Sequence, residues 1–233
     1  MRCVLGLTVL LFVAAPASAE TASSIADLKP GTRILSYLTS RERTSDLNDV
    51  GLAFDRRLGL QQGCRTPYRI KGVSLTIVQP IELVDGKEHP SKGAWTQRFE
   101  FERCGELKVY NAVFIAKDDA KPEARPYIPG TTNASALLVR DALKTAAGMA
   151  QLSLGRSRKD KGLAECKELW VSDTRVSEPA RDVVEKGTTY RGVWGEIWEF
   201  VGCDAKVAVH VTFVPDGKGG TNFTARAAAA TSR

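Results

Sequence analysis

The residues best suited to chemistry lie on one predicted strand in the second half of the chain. Trp194, Glu196 and Trp198 alternate with other residues, so an extended segment places them on one face. In a binding groove the two indoles would stack on a ligand while Glu196 orients it. In a core the rings would be buried and Glu196 would need a Lys or Arg partner, because an unpaired buried carboxylate is costly. Together with His210, these three residues are the ligand-binding candidates.

Catalysis would require His210 to act with a carboxylate, either Glu196 or Glu199, and a periplasmic hydrolase of this kind is one alternative. Glu199 has a counterpart, Glu100, in the first half of the chain. A carboxylate present in both halves favours a shared structural hydrogen bond over catalysis. The chain contains no nucleophile elbow, zinc-protease motif or phosphate-binding loop. We therefore expect no catalytic residues, no metal and no cofactor.

The candidate strand belongs to a segment that occurs twice. Residues 93–114 and 192–213 align without a gap at an offset of 99 positions and are identical at six of them. Both segments contain a Trp and a Cys, two rare residue types, so chance is a poor explanation. The second copy has Glu196, Trp198 and His210 where the first has Gln97, Phe99 and Asn111. A ligand site should accordingly be asymmetric and centred on the second copy.

A predicted helix and three predicted strands account for each copy. Apolar residues recur at helical spacing over 45–58 and again over 136–154, where Asn133 or Ser135 caps the start and Gly155 ends the helix. We predict an α+β fold: a tandem duplication of a helix plus a three-stranded antiparallel meander. One such copy has a thin core and an exposed sheet edge, so we expect both copies to pack as one pseudo-two-fold unit. Gly51 and Gly148, one in each helix, predict close approach to another backbone.

The chain divides into six predicted parts. They are a signal peptide (1–19), an N-terminal segment with one short docked element near Ile34 (20–43), repeat 1 (44–116), a Pro-rich connector read as a loop (117–132), repeat 2 (133–226) and a frayed tail (227–233). Arg2, an apolar run and a small-residue site ending at Ala19 are typical of a cleaved export signal. A periplasmic or secreted location follows from this interpretation.

The cysteines agree with export. Removal of Cys3 with the signal peptide leaves an even number, Cys64, Cys104, Cys166 and Cys203, with no Cys-x-x-Cys pair and only two histidines in the whole chain. Disulfides are favoured over a metal site. Symmetry permits every pairing, but a single-copy precursor had only its own two cysteines. We therefore predict the bonds Cys64–Cys104 and Cys166–Cys203.

Composition restricts the partners. The 33 basic and 27 acidic residues give a formal charge of +6, a mild excess compatible with weak contact to an anionic surface. Aromatic residues do not alternate with a basic stripe, so nucleic-acid binding is unsupported. No apolar run after the signal peptide is long enough for a transmembrane segment. We expect a non-catalytic periplasmic binding or envelope-associated accessory protein that binds an unknown small ligand or envelope component. A structural module that interacts through a sheet edge is the other alternative.

Overall fold

The computed structural model describes residues 19–60, 63–65, 68–118, 120–160, 166 and 168–232. These residues form two antiparallel β-sheets, each covered on one face by a long helix, so the fold is mixed α+β and mostly sheet. The first sheet and its helices are called the first unit, and the second sheet and its helix the second unit. The expected signal peptide lies outside the described residues, apart from Ala19.

The first sheet has five strands in sequential order. They are β1 (Ala19–Ala22), β2 (Arg69–Val84), β3 (Lys92–Arg103), β4 (Glu106–Lys117) and β5 (Ala120–Pro126). Side chains on a strand alternate between its faces, and Trp95, Phe99 and Phe101 of β3 point to the helix-covered face. Each is at most 1% exposed.

The N-terminal segment is docked on this sheet. β1 pairs with the end of β2, and a helix, α1 (Arg33–Leu38), follows it. The Glu20 carboxylate accepts hydrogen bonds from the amides of Arg33 and Ile34, both at 3.0 Å, and so satisfies the first turn of α1. Ile34 and Leu38 enter the core, as expected for the short docked element.

The second sheet begins with three sequential strands, β6 (Trp170–Glu185), β7 (Thr188–Gly202) and β8 (Ala205–Pro215). Two further strands, β9 (Thr221–Ala227) and β10 (Thr231–Ser232), pair with successive parts of the remaining edge of β8. The chain end that the sequence assigned to a frayed tail therefore includes a short paired strand.

The two long helices are α2 (Arg41–Leu58) and α3 (Ala136–Asp160). α2 begins four residues earlier than the sequence pattern predicts, because the Ser40 side chain accepts a hydrogen bond from the Arg43 amide and caps it there. Ser135 caps α3 by accepting from the Leu138 amide, as predicted. Gly155 does not end α3, which continues for five residues, and Arg158 in the last turn donates to the Cys203 carbonyl.

The prediction of three strands per copy is incomplete, since each helix is followed by a four-stranded meander. In the first unit the fourth strand is β5, which lies inside the segment 117–132 that was predicted to be a loop. Pro122 and Pro126 misled that interpretation. β5 lies at the edge of its sheet, where a residue without an amide hydrogen is tolerated. In the second unit the fourth strand is β9.

Period-two alternation predicts that Trp95, Phe101, Trp194 and Phe200 are buried on the inner faces of the two Trp-containing strands. Three of these four side chains, Trp95, Phe101 and Phe200, are at most 1% exposed. Trp194 is only partly buried, and its ring stacks on Phe213 with centroids 4.7 Å apart. In the first unit the corresponding Trp95 is completely buried. Trp95 and Trp194 therefore occupy corresponding strand positions but differ in how far their side chains are buried.

The structure contains two disulfide bonds, Cys64–Cys104 and Cys166–Cys203, the pairs favoured by the sequence argument. Their Cα atoms lie 6.0 and 5.8 Å apart. Cys104 and Cys203 both have positive φ, 51° and 47°, in the tight turn after the Trp-containing strand. Each bond links that turn to the segment that follows the long helix of its unit.

Candidate binding site

β7 carries the five-residue stretch, Trp194 to Trp198, that contains three of the four predicted ligand-binding residues. Trp194, Glu196 and Trp198 do share one face, but that face is covered by α3 and belongs to the core. Glu196 and Trp198 have no exposed surface. These residues therefore do not line an open groove.

The Glu196 carboxylate is saturated by four protein donors. One oxygen, Oε1, accepts from the Trp194 indole (3.0 Å), the Thr132 hydroxyl (3.0 Å) and the Asn133 amide (2.8 Å). The other, Oε2, accepts from the Trp198 indole at 2.8 Å. Among the residues that the structure describes, no Lys or Arg lies within ion-pair distance of this carboxylate, so the expected cationic partner is replaced by neutral donors.

His210 lies away from this cluster. On β8 the buried neighbours Val209 and Val211 point to the α3 side, so His210 points to the opposite face, where it is exposed. Glu196 and His210 consequently do not open into one concavity. The pairing of Glu196 with His210 in the hydrolase alternative lacks a common site.

Glu199 shares the outer face with His210, but its carboxylate is already engaged. Oε1 accepts from Arg175 at 2.8 Å and Oε2 is 2.6 Å from the Lys206 ammonium. Glu100, its counterpart in β3, makes a similar cross-strand ion pair with Lys71 at 3.4 Å. Both glutamates therefore stabilise strand pairing, as their recurrence in the sequence suggested.

The donors to Glu196 include two residues of the segment between the units, residues 127–135, here called the linker. The first unit holds the same segment from β3 and β4. Asn111 donates to the carbonyls of Ile128 (2.6 Å) and Gly130 (2.9 Å), and Arg98 donates to the Thr132 carbonyl (3.0 Å). The linker is thus fixed by polar side chains of both sheets.

The linker also runs against the free edge of β6. The Thr131 amide donates to the Thr174 carbonyl at 2.7 Å, and the Thr174 hydroxyl donates to the Pro129 carbonyl at 2.6 Å. Gly130 lies so close that a Cβ added to it would be 2.1 Å from the Thr174 carbonyl oxygen. Only glycine fits here, and its φ of +82° is also one that other residues rarely adopt.

A cleft of about 520 Å³ opens between the two units beside this contact. We call it the inter-sheet cleft. Its first wall is mainly apolar and comes from the end of α2 and from β4, with Leu58, Leu60, Leu107 and Val109. Its second wall is polar and comes from the outer face of the second sheet, with Asp173, Arg175, Glu199 and Lys206. Lys108 of β4 adds a third cation.

Two carboxylates at the centre of the polar wall have opposite pKa shifts. Asp173 and Glu199 are directly opposed on β6 and β7. Burial raises the pKa of Asp173, and repulsion from Glu199 raises it further. Burial also acts to raise the pKa of Glu199, but hydrogen bonds from Lys206 and Arg175 outweigh it, so the net shift is downward. The cleft therefore contains one carboxylate whose pKa is raised and one whose pKa is lowered.

Sequence reasoning did not find this cleft. Its residues come from α2, β4, β6, β7 and β8, and no local spacing connects Lys108 with Asp173. The one available signal was the pair Asp173 and Arg175, which place opposite charges on the same face of a strand. The geometry allows the cleft to bind a small molecule that has an apolar part and charged groups.

Comparison with protein-family models, curated proteins and solved structures finds no match for this chain. No helix in the described residues has the length and apolar character needed to cross a membrane. Within the same residues, His, Cys, Asp and Glu side chains form no group of three suited to a metal ion.

Proposed function

We propose that this protein is an exported, non-catalytic binding protein of the periplasm or cell envelope, and that the inter-sheet cleft is its ligand site. One observation carries the proposal: the cleft joins an apolar wall from one unit to a charged wall from the other. Small-molecule sites are usually concave, largely apolar and equipped with a few polar groups that fix orientation. The ligand class that we propose is a small amphipathic molecule with an anionic group, because the lining holds Lys108, Arg175 and Lys206 against Asp173 and Glu199. Lys108 also pairs at 2.6 Å with Glu106, which lies outside the lining.

A fluorescent probe of this chemistry tests the proposal. Anilinonaphthalene sulfonate combines aromatic rings with one negative charge, and we expect saturable binding to the folded protein. Leu107→Glu introduces a charge into the apolar wall at a side chain that is 56% exposed, so folding should survive. The expected result is at least about tenfold weaker binding.

Val184→Glu is the matched control, since Val184 is 70% exposed on a hairpin outside the cleft. It should bind the probe as the wild type does. Absence of saturable binding, or equal weakening by both substitutions, would contradict the assignment of the cleft.

Export is the second part of the proposal. Residues 1–19 have the composition of a cleaved signal, and the two disulfides are compatible with an oxidising compartment. Intact mass spectrometry of protein recovered from the periplasm of an expressing bacterium should give a chain that begins at Glu20, with all four cysteines oxidised. A full-length chain in the cytoplasmic fraction would exclude this route.

We further infer that the two units arose by tandem duplication and are related by a pseudo-two-fold axis. Trp95 is opposite Phe114 across β3 and β4, and Trp194 is opposite Phe213 across β7 and β8. Each disulfide also lies within one unit, and the two bonds are attached to corresponding turns, at Cys104 and Cys203. These coincidences support one ancestral helix-plus-meander module, now with four strands in each copy.

Interaction through a sheet edge is a second candidate function. The hairpin formed by the end of β6 and the start of β7, residues 178–191, projects from the second sheet, and nearly all of its residues are exposed. In the first unit, β1 covers the corresponding end of β2. Pro179 and four register shifts in the pairing of β6 with β7 oppose strand addition, so this function ranks second. A photo-cross-linker at Val184, but not at Lys144 on α3, should give a defined adduct if the hairpin binds a partner.

A further inference from the structure

A second cavity, of about 420 Å³, lies where β2 and β3 meet the linker and the start of α3. It shares no lining residue with the inter-sheet cleft. We call it the Arg98 cavity after its charged residue. Its walls otherwise contain hydroxyl, amide and apolar side chains, among them Thr76, Thr96, Asn111, Val78 and Leu137.

Arg98 is a partly buried cation without a carboxylate in contact. Nε donates to the Asn111 side-chain oxygen at 3.1 Å, and Nη2 donates to the Thr132 carbonyl at 3.0 Å. Among the described residues Arg98 makes no ion pair and no other side-chain hydrogen bond. A guanidinium has five N–H donors, so three of them have no protein acceptor here.

Burial lowers the pKa of Arg98, and the charge of Glu196 acts in the opposite direction. Glu196 does not touch Arg98, because the Thr132 residue stands between them: its carbonyl accepts from Arg98 and its hydroxyl donates to Glu196. The guanidinium is therefore held in place by neutral oxygens while its charge is only partly compensated. An anion in the cavity would complete its coordination.

The apolar side chains indicate which anion fits. Leu137 is 59% exposed and Val78 is 38% exposed, and the two side chains form an apolar rim in the cavity that contains the cation. A bare inorganic anion would leave this rim in contact with water, whereas an alkyl or aryl group would cover it. The planar guanidinium matches a carboxylate, with which it forms paired hydrogen bonds.

We propose that the Arg98 cavity binds a small organic carboxylate, with Arg98 on the carboxylate and Val78 and Leu137 on the apolar part. This site is distinct from the inter-sheet cleft and does not depend on it. Its charged residue has no counterpart in the second unit, where the position that corresponds to Arg98 is Ile197, which carries no charge.

Nuclear magnetic resonance tests the site with hexanoate as the probe. Titration should shift the Arg98 Nε–Hε resonance and the backbone amide of Asn133 in a saturable manner. Acetate, which lacks the alkyl chain, and hexanamide, which lacks the charge, should each bind at least about tenfold more weakly. Equal affinity for hexanoate and hexanamide would overturn the role of Arg98, and equal affinity for hexanoate and acetate would overturn the role of the apolar rim.

Substitutions separate this site from the cleft. Arg98→Gln should abolish the shift of the Asn133 amide on addition of hexanoate. Arg191→Gln, at an exposed arginine on the hairpin, should leave that shift unchanged. If Arg98→Gln does not fold, Leu137→Asp replaces it, since Leu137 is exposed and lines only the rim. Leu107→Glu in the cleft should not alter hexanoate binding. Hexanoate binding that persists in both Arg98→Gln and Leu137→Asp would refute the proposed site.

Discussion

Glu196 shows how one residue type acquires its role from its surroundings. The carboxylate has no exposed surface, yet all four of its hydrogen bonds come from neutral donors. In the first unit the corresponding residue is Gln97, which makes no comparable set of contacts with the linker. The substitution that distinguishes the two copies thus serves to anchor the linker to the second sheet.

Glu196→Gln should reduce the free energy of unfolding by about 2–3 kcal/mol. The amide keeps one acceptor oxygen, but its NH₂ group cannot accept from an indole, so one buried donor loses its partner. Urea denaturation measures the loss. Glu178→Gln is the control, because the Glu178 side chain is 57% exposed and its ion pair should be worth little. Equal stability of the two variants would show that the Glu196 hydrogen bonds are unimportant.

Asp173 and Glu199 should affect the pH dependence of stability in opposite directions. The pKa of Asp173 is raised in the folded state, so its contribution to stability falls as the pH rises through the folded pKa. Asp173→Asn cannot ionise and should therefore gain stability relative to the wild type as the pH rises from the ordinary Asp pKa through the raised one. The pKa of Glu199 is lowered, so Glu199→Gln should lose relative stability as the pH rises from the lowered pKa to the ordinary Glu pKa.

Denaturation of both variants and the wild type at several pH values checks this prediction. The prediction requires that the difference in free energy of unfolding between variant and wild type changes with pH in opposite directions for the two variants. Slopes of the same sign, or differences that do not vary with pH, would contradict the assigned pKa directions.

Sequence reasoning succeeded for residues whose environment is set by near neighbours. Alternation alone placed Trp95, Phe101 and Phe200 in the core, and the repeat favoured the disulfide pairs. It could not place Trp194 or separate His210 from Glu196. Those outcomes depend on where α3 lies and on how the linker approaches β7, and both are long-range contacts.

At the scale of the elements, each of the two long helices contains one glycine followed by an apolar residue and an alanine. The two glycines have similar sequence neighbours but different surroundings in the structure. Gly51 in α2 faces the Phe101 ring, and an added Cβ would be 2.6 Å from it. Gly148 in α3 is exposed, with no atom within 4 Å of such a Cβ. The expectation of close backbone packing is wrong at Gly148, and at Gly51 the close neighbour is a side chain rather than a backbone.

Alanine substitution at these two glycines should therefore have opposite effects. Gly148→Ala should stabilise the protein by up to about 1 kcal/mol, because alanine has the higher helix propensity and meets no obstacle. Gly51→Ala gains the same propensity but forces a buried aromatic ring to move, and should destabilise by about 1–3 kcal/mol. Thermal or urea denaturation distinguishes them. A gain in stability at Gly51 would mean that the Phe101 ring adjusts freely.

Helical periodicity and strand alternation predicted most elements, because both patterns follow directly from local geometry. The errors fall at edges and ends. β5 was not predicted because prolines are typical of loops, although a strand at the edge of a sheet tolerates them. The end of α3 was placed too early because Gly155 takes ordinary helical geometry instead of the left-handed conformation of a helix terminus. The prolines of β5 and Gly155 of α3 are local signals, and neither indicates which strand or turn packs beside it.

For the whole molecule, the linker determines how the units meet. Asn111 and Arg98 hold it from the first sheet, and Glu196 and Thr174 hold it from the second. These contacts, together with the Arg57 guanidinium of α2 that lies 4.6 Å from the centroid of the Trp170 ring of β6, place β4 beside β6 and form the inter-sheet cleft. The sequence predicted two packed units from the need to bury thin cores, but it could not supply their relative position.

Gly130→Ala should uncouple the two units. Its Cβ would overlap the Thr174 backbone, which cannot move aside as a side chain can. Gly31→Ala is the matched control: Gly31 has a similar φ of +89° but no atom within 4 Å of an added Cβ, so only the backbone penalty of about 1–2 kcal/mol applies. In calorimetry we expect one unfolding transition for the wild type and for Gly31→Ala. Gly130→Ala should give two transitions, as each disulfide-linked unit unfolds separately, and should lose saturable binding of anilinonaphthalene sulfonate. A single transition with retained probe binding in Gly130→Ala would show that the units are held together by contacts other than the linker.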